Sequence, residues 1–196
     1  MGQRSQIYVR INKKLVVANY YGWNYGERMI SRAKAIIEWL KEYVDHDYLS
    51  FFTAQNDSSY RTKLSRVCDT NFDMRDVAIS CDIVKEHYED FADSPFNKQV
   101  FDWQDNNDGQ LFIDVDKNGI KYCFTKYTSH KKALSASQYM AWDSCGNWTV
   151  PTDYLSQEDI DLCKNNIKYI KENAELMSLD ELKDFVNGDY EENPAF

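Results

Sequence analysis

Glycine and proline are scarce in this chain, and no long stretch of it is apolar throughout. There are seven glycines and three prolines in 196 residues, too few for a collagen-like or linker-like chain. No run approaches the ~20 apolar residues that a membrane-spanning helix needs. Hydrophobic residues nevertheless make up 43% of the chain and aromatic residues 15%, which excludes a mainly disordered state. The composition predicts a soluble globular domain.

The five cysteines include no CxxC pair, the spacing with which zinc and dithiol sites commonly begin. Their odd number and wide spacing predict buried thiols in a reducing compartment. The first residues lack the apolar run of a signal peptide. Gln6 stands where a myristoylation signal needs Ser or Thr. We therefore expect a cytoplasmic protein without a membrane anchor.

Acidic residues outnumber basic ones, 32 to 23, but the two are unevenly distributed. Residues 1–43 carry an excess of basic side chains, whereas the remaining residues carry a larger excess of acidic ones. Both regions fit ordinary solvated surface. Two functional interpretations are also open: the basic third contacts phosphates, or the acidic remainder binds a cationic protein groove.

The first third of the chain alternates in hydrophobicity and then changes to a helical period. Residues 6–11 and 15–21, separated by a three-residue loop, predict a β-hairpin. From Met29 to Val44 apolar residues recur every three or four positions, which predicts an amphipathic helix. Residues 59–68 predict a second, short helix.

The middle of the chain gives weaker signals, apart from a second hairpin. Residues 77–91 fit either a helix or a strand. Apolar and polar residues alternate over 111–125 on either side of an Asp-Lys-Asn-Gly turn, which predicts the hairpin. Residues 138–143 predict one further strand.

Two capping signals predict helices near the C-terminus. Ser156 is followed by Asp159, and Ser178 by Glu181, each pair with the spacing of a capping box. We predict an α+β fold, with a mainly antiparallel sheet built from β-hairpins and packed by the N-terminal amphipathic helix and the C-terminal helices. Residues 1–155 would form the α+β domain, 156–188 a helical part packed on it, and 189–196 a loose tail.

A narrow apolar stripe runs along the first of these C-terminal helices. It comprises Ile160, Cys163, Ile167, Ile170, Ala174 and Met177. Such a stripe predicts packing against one partner element. That partner is either the domain's own core or a second copy of the chain in a homodimer.

No catalytic or metal-binding motif stands out. Residues 114–119 match the start of a calcium loop, but Thr125 stands at the twelfth position, where the loop needs a bidentate Glu. The three histidines form no metal-binding array, and there is neither a nucleophile elbow nor a phosphate loop. We therefore predict no catalytic residue, no metal and no cofactor.

Four aromatic residues and two glycines stand between the first hairpin and the first helix, over residues 20–26. They fit a sharp turn whose rings cover the end of the sheet. They also fit rings that stack on bases while basic residues contact phosphates. The candidate residues of that nucleic-acid interface are Arg10, Lys13, Lys14, Trp23, Tyr25, Arg28 and Arg32.

The opening run GQRSQIYVR, with ANYY at 18–21 and WNYGERMISR at 23–32, resembles the start of small uncharacterised proteins encoded by phages and prophages of Gram-positive bacteria. The resemblance lies within residues 1–40 and carries no catalytic motif. In that setting, compact acidic proteins resemble phage-encoded inhibitors of host defence, such as anti-CRISPR proteins that imitate DNA. The resemblance therefore implies that the protein inhibits a bacterial nucleic-acid-handling protein, namely a CRISPR effector nuclease. The inhibitor would place its carboxylates in the cationic groove of that nuclease.

Carboxylates around the second hairpin are the candidates for that contact, with neighbouring rings as anchors. The predicted partner-binding residues are Asp102, Trp103, Asp105, Asp108, Phe112, Asp114 and Asp116. Two alternatives stay open. One is a nucleic-acid-binding phage protein that uses the basic first third, and the other is a small phage enzyme with an unrecognised site.

Overall fold

The computed structural model describes residues 4–22, 24, 26–52, 59–70, 80–82, 100–102, 109–142 and 145–190. Its elements are β1 (Arg4–Ile11), β2 (Lys14–Gly22), α1 (Glu27–Asp45), a 3-10 turn (Leu49–Phe52), α2 (Ser59–Thr70), β3 (Ser80–Asp82), β4 (Gln110–Asp116), β5 (Gly119–Lys126), β6 (Ser129–Leu134), α3 (Ala136–Met140), α4 (Gln157–Asn173), β7 (Glu175–Leu176) and α5 (Leu179–Val186). Among these elements there is no helix with the length and hydropathy needed to cross a membrane.

The strands form one sheet in the order β3-β2-β1-β4-β5-β6, and β7 also pairs with β5. Neighbours are antiparallel except β1 with β4 and β5 with β7, which are parallel. The predicted α+β fold with a largely antiparallel sheet is confirmed. The parallel contact at the centre was not part of the prediction, and it joins the two predicted hairpins side by side.

A two-residue turn joins β1 to β2, where the sequence predicts a three-residue loop. Asn12 and Lys13 both have positive φ, 48° and 67°. Two successive residues in this region are typical of a type I′ turn, whose twist matches that of the flanking strands. Lys14 therefore already belongs to β2 and pairs with Ile11.

One face of the sheet packs against α1, α2 and α4. Ile7, Val9 and Ile11 point to this face because side chains alternate along a strand. The stripe on α4 is buried here as well, since α4 packs along α1 and Asn166 donates to the hydroxyl of Ser31. Its residues Ile160, Cys163 and Ile170 are buried and Ile167 is partly buried. The domain's own core is therefore a partner of the stripe, and the homodimer through these residues stays a prediction.

The apolar stripe extends to Met177 in the sequence, but the helix does not. Helix α4 ends at Asn173 because Ala174 is extended, and β7 follows. Met177 then packs on the opposite face of the sheet, with its sulfur 3.7 Å from that of Cys123. The last member of the stripe thus belongs to a second apolar cluster.

This second cluster lies under α5 and residues 100–101. The ring of Tyr8 contacts those of Phe101 and Phe112 at 4.9 and 5.0 Å, and Phe112 contacts Phe185 of α5 at 5.2 Å. Tyr190 is anchored here too, because its hydroxyl donates to the Phe185 carbonyl oxygen. The loose tail predicted from residue 189 is therefore wrong at Tyr190, and residues 191–196 lie outside the described part.

Residues 138–143 are predicted as a strand, but a short helix, α3, occupies residues 136–140. Ser135 accepts from the backbone N–H of Gln138, and the Gln138 side chain accepts from that of Ser135. This capping box starts a helix that the apolar alternation does not indicate. The capping boxes at Ser156 and Ser178 are confirmed, and they begin α4 and α5.

Candidate functional site

Of the predicted partner-binding residues, the four that the structure describes do not gather on one exposed surface. Trp103, Asp105 and Asp108 lie outside the described residues. Phe112 is fully buried, so it does not anchor a partner in this fold. Asp102 lies beside the start of β4 and Asp116 at its end, and seven strand residues separate such positions by about 20 Å.

Arg10 and Asp114, predicted for two different interfaces, bind each other. Arg10 Nε and Nη2 donate to Asp114 Oδ1 and Oδ2 at 2.9 and 2.5 Å. Nη2 also donates to Asp184 Oδ2 at 3.0 Å, and the guanidinium lies 4.5 Å from the Phe185 ring centre. Burial opposes the charge of Arg10, but its hydrogen bonds and charge interactions with Asp114 and Tyr190 together outweigh burial and raise the Arg10 pKa. With 2% of its side chain exposed, Arg10 contacts no phosphate.

The other basic candidates are also dispersed. Arg32 is buried, with its guanidinium 4.0 Å from the Tyr21 ring centre. Arg28 lies half-buried beside Glu27. Lys13 pairs with Asp184 at 2.7 Å, and Lys14 is exposed. Trp23 and Tyr25 lie outside the described residues, so the rest of the set forms no single basic surface.

A buried polar network that the sequence did not indicate lies at the start of β4. Gln110 Nε2 donates to Gln6 Oε1 at 2.7 Å and to the Phe101 carbonyl oxygen at 2.8 Å. Gln110 Oε1 lies 2.8 Å from His130 Nε2. Because Oε1 only accepts, Nε2 carries the hydrogen, and the other ring nitrogen of His130 faces Asp102 at 3.9 Å. The network holds residues 100–102 against the sheet.

Four thiols and one histidine of the described residues are buried or partly buried. Cys68, Cys123, Cys145 and Cys163 are free, buried thiols, and His130 is partly buried. Burial raises the pKa of the Cys163 thiol to about 12 and that of Cys123 further. Burial also lowers the pKa of His130, although Asp102 opposes the shift. In the described ranges, no three His, Cys, Asp or Glu side chains are arranged to hold a metal ion.

Two exposed carboxylates flank two exposed leucines at β7 and the start of α5. Glu175 and Asp180 have 73% and 95% of their side chains exposed. Leu176 and Leu179 between them are 40% and 37% exposed. We refer to residues 175–181 as the β7–α5 surface. Its position follows from the pairing of β7 with β5 at the sheet edge and from the capping box that begins α5.

Lys121 of β5 is surrounded by carboxylates of this surface. Its Nζ lies 2.5 Å from Glu181 Oε1 and 3.8 Å from Glu175 Oε2, and Asp116 is close enough to act on it. The hydrogen bond to Glu181 raises the pKa of Lys121, and the same bond lowers the pKa of Glu181. Lys183 lies 3.5 Å from Asp180. These two lysines offset only part of the negative charge.

No match to this chain was found among protein-family models, curated proteins or solved structures.

Proposed function

We propose that the protein acts by binding, and that it inhibits a cationic, nucleic-acid-handling protein through the β7–α5 surface. The observation that carries the proposal is that exposed Glu175 and Asp180 flank exposed Leu176 and Leu179. Leucines at such a contact exclude water, while carboxylates steer a positively charged partner into register.

This contact replaces the one predicted along β4. Asp116 is the member of the predicted set that borders the β7–α5 surface, because it acts on Lys121 together with Glu175 and Glu181. Asp114 contributes no free charge, since Arg10 neutralises it. The proposed contact is therefore centred on α5.

The resemblance of the opening residues to phage proteins supplies the class of partner. A CRISPR effector nuclease in the cytoplasm of the host cell has a cationic groove that carboxylates would enter in place of phosphates. Buried, protonated thiols are poor nucleophiles, and His130 is engaged with Gln110, which favours binding over catalysis. On this proposal the chain carries no cofactor.

The test measures inhibition and binding of a CRISPR effector nuclease loaded with its guide RNA. The variant Glu175→Lys with Asp180→Lys should bind at least ~10-fold more weakly, because two steering charges reverse next to the leucines. The control is Glu158→Lys with Asp161→Lys on α4, which changes the net charge equally. Each pair includes one carboxylate from the first turn of a helix, Asp180 or Glu158, so both variants lose similar helix-end stabilisation.

The proposal is supported if the wild type inhibits the nuclease, the Glu175→Lys with Asp180→Lys variant does not, and the control variant still does. Equal effects of the two pairs would show that only net charge matters, and the β7–α5 surface would be rejected. A wild-type chain that neither binds the loaded nuclease nor slows DNA cleavage would reject the proposed class of partner.

A further inference from the structure

One segment of this acidic protein contains no acidic residue. The chain has 32 Asp and Glu, yet residues 117–142 contain none of them. The same segment contains Lys117, Lys121, Lys126, Lys131, Lys132 and His130. It spans β5, β6 and α3. The net charge of each third of the sequence does not reveal this segment, because acidic residues border it on both sides.

Three of these lysines are exposed and form no ion pair with a carboxylate in the part of the chain that the structure describes. Lys126, Lys131 and Lys132 lie on the β5–β6 hairpin and are exposed. Several other described lysines do pair with carboxylates, as Lys34 does with Glu38 and Lys41 with Asp45. Lys126 is opposite Ser129 in the hairpin, and Lys131 and Lys132 follow Ser129 by two and three residues on β6. Because β6 is the last strand in the sheet order, an extended anionic ligand laid along this edge can reach lysines that project from either face.

An exposed tyrosine stands at the turn of the same hairpin. Tyr127 is 52% exposed and has a φ of 51°, a conformation that aromatic residues rarely adopt. Its carbonyl oxygen accepts from Thr125 Oγ1 at 3.1 Å, and its ring meets that of Trp142 edge to face at 4.8 Å. Lys126 Nζ lies 5.4 Å from the centre of the Trp142 ring. Tyr127 is thus held in place with half of its surface available for stacking.

We propose that the β5–β6 hairpin binds single-stranded nucleic acid, with Lys126, Lys131 and Lys132 on phosphates and Tyr127 stacked on a base. Stacking on a protein ring requires an unpaired base, which favours a single strand over a duplex. Lysines on an edge strand also oppose aggregation, but that role does not require an exposed tyrosine held beside them. This site is distinct from the β7–α5 surface and does not depend on inhibition of a nuclease.

The net negative charge of the chain does not prevent such binding. At physiological salt, charges more than ~8 Å apart in solvent are largely screened, so the field at the hairpin depends on the charges close to it, which include the three lysines. One described carboxylate, Asp102, lies beside His130 of the same hairpin. It faces the histidine ring, and no ion pair links it to the three lysines.

The test is fluorescence anisotropy of a labelled oligothymidylate of about 12 nucleotides with the full chain over a range of salt concentrations. Three phosphate contacts predict a slope of about −2 for log K against log salt, because each contact to a single strand contributes ~−0.7. Replacing Lys126, Lys131 and Lys132 by Gln should flatten the slope and weaken binding at least ~10-fold. The matched control replaces Lys164, Lys168 and Lys171 of α4 by Gln and should bind as the wild type does.

Tyr127→Asn tests the stacking separately from charge. Asparagine tolerates the positive φ at this position, so the hairpin keeps its turn. We expect affinity to fall about 10-fold while the salt slope stays unchanged. Heparin serves as an anion without bases, and Tyr127→Asn should not change its binding.

Each failure has a distinct meaning. The site is rejected if the wild type does not bind the oligonucleotide at low salt, or if the Gln variant binds it as well as the control. Equal binding of the oligonucleotide by the wild type and Tyr127→Asn would reject nucleic acid in favour of a general anion surface. The variant Glu175→Lys with Asp180→Lys should retain oligonucleotide binding, so failure of the inhibitor proposal leaves this test intact.

Discussion

Arg10 of β1 and Asp114 of β4 lie opposite each other in parallel register and form a two-point ion pair, although 104 positions separate them in the chain. The pair joins the two hairpins at the centre of the sheet. Asp184 of α5 adds a second carboxylate, so that strand and helix share one guanidinium. These three residues stabilise the fold. Because Arg10 and Asp114 bind each other, neither provides a binding surface.

Removal of Asp114 should destabilise the protein more than removal of Asp184. Asp114→Asn leaves the buried Arg10 charge with only its exposed partner, which should cost about 3 kcal/mol in the free energy of unfolding. Asp184→Asn should cost less than ~1 kcal/mol, because solvent screens a half-exposed carboxylate. Urea denaturation at constant m-value measures both. An equal or larger loss for Asp184→Asn would contradict a central role of the Arg10–Asp114 pair.

Gln110→Leu should disrupt the buried network at the start of β4. The variant removes the donor to the Phe101 carbonyl oxygen and the acceptor of His130, at an expected cost of about 2–4 kcal/mol. Gln157→Leu is the matched control, because its side chain is exposed and bonds only to Asp161. Thermal unfolding should therefore separate the two variants. In the wild type, NMR should find the His130 hydrogen on Nε2.

Two glycines of the second hairpin should differ in their tolerance of alanine. Gly109 has a φ of 97°, and a Cβ there would lie 2.2 Å from the carbonyl oxygen of Thr125. Gly109→Ala should cost more than about 3 kcal/mol, since β5 would have to move. Gly119 has a φ of 137° but open space around it, so Gly119→Ala should cost only about 1–2 kcal/mol of backbone strain. Similar losses in urea denaturation would argue against the close approach of Gly109 to β5.

The variant Glu27→Gln should be more stable than the wild type at neutral pH. Burial raises the pKa of Glu27 above its usual 4.5, while its backbone hydrogen bond and Arg28 oppose the shift. A raised pKa in the folded state means that stability falls as pH rises through the window between the ordinary and the raised value. Glu27→Gln should therefore raise the unfolding midpoint at pH 7.

The advantage of Glu27→Gln over the wild type should disappear near pH 4, where the wild-type carboxyl is protonated in both states. Glu158→Gln, at an exposed first-turn position of α4, should instead lower stability slightly at pH 7. A stabilised Glu158→Gln variant, or an unchanged Glu27→Gln variant, would show that burial does not dominate at Glu27.

Local patterns in the sequence predict the helices and strands of this fold better than they predict which of these elements lie next to one another. Capping pairs such as Ser156 with Asp159 identify helix starts because both residues lie in one turn. Alternation over 111–125 identifies a hairpin for the same reason. The pattern over 138–143 misleads, because the capping box of Ser135 with Gln138 decides that segment instead.

The candidate sites were harder to predict because they depend on long-range pairing. Nothing near Arg10 or Asp114 in the sequence indicates that the two lie on adjacent strands, so each was assigned to a different interface. The β7–α5 surface also depends on the pairing of β7 with β5. A strand of two residues is too short for its sequence to predict that pairing. The absence of acidic residues from 117–142 can be read from the sequence. The exposure of its lysines and of its tyrosine cannot.

The parallel contact between β1 and β4 also sets the order in which the chain can mature on the ribosome. The first hairpin emerges early, yet one side of β1 has no partner until about a hundred further residues have been synthesised. Contacts of such high order slow folding, because a long loop must close before they form. A nascent fragment that ends before residue 110 exposes a strand edge at what becomes the centre of the sheet, so chaperone protection matters most during that interval.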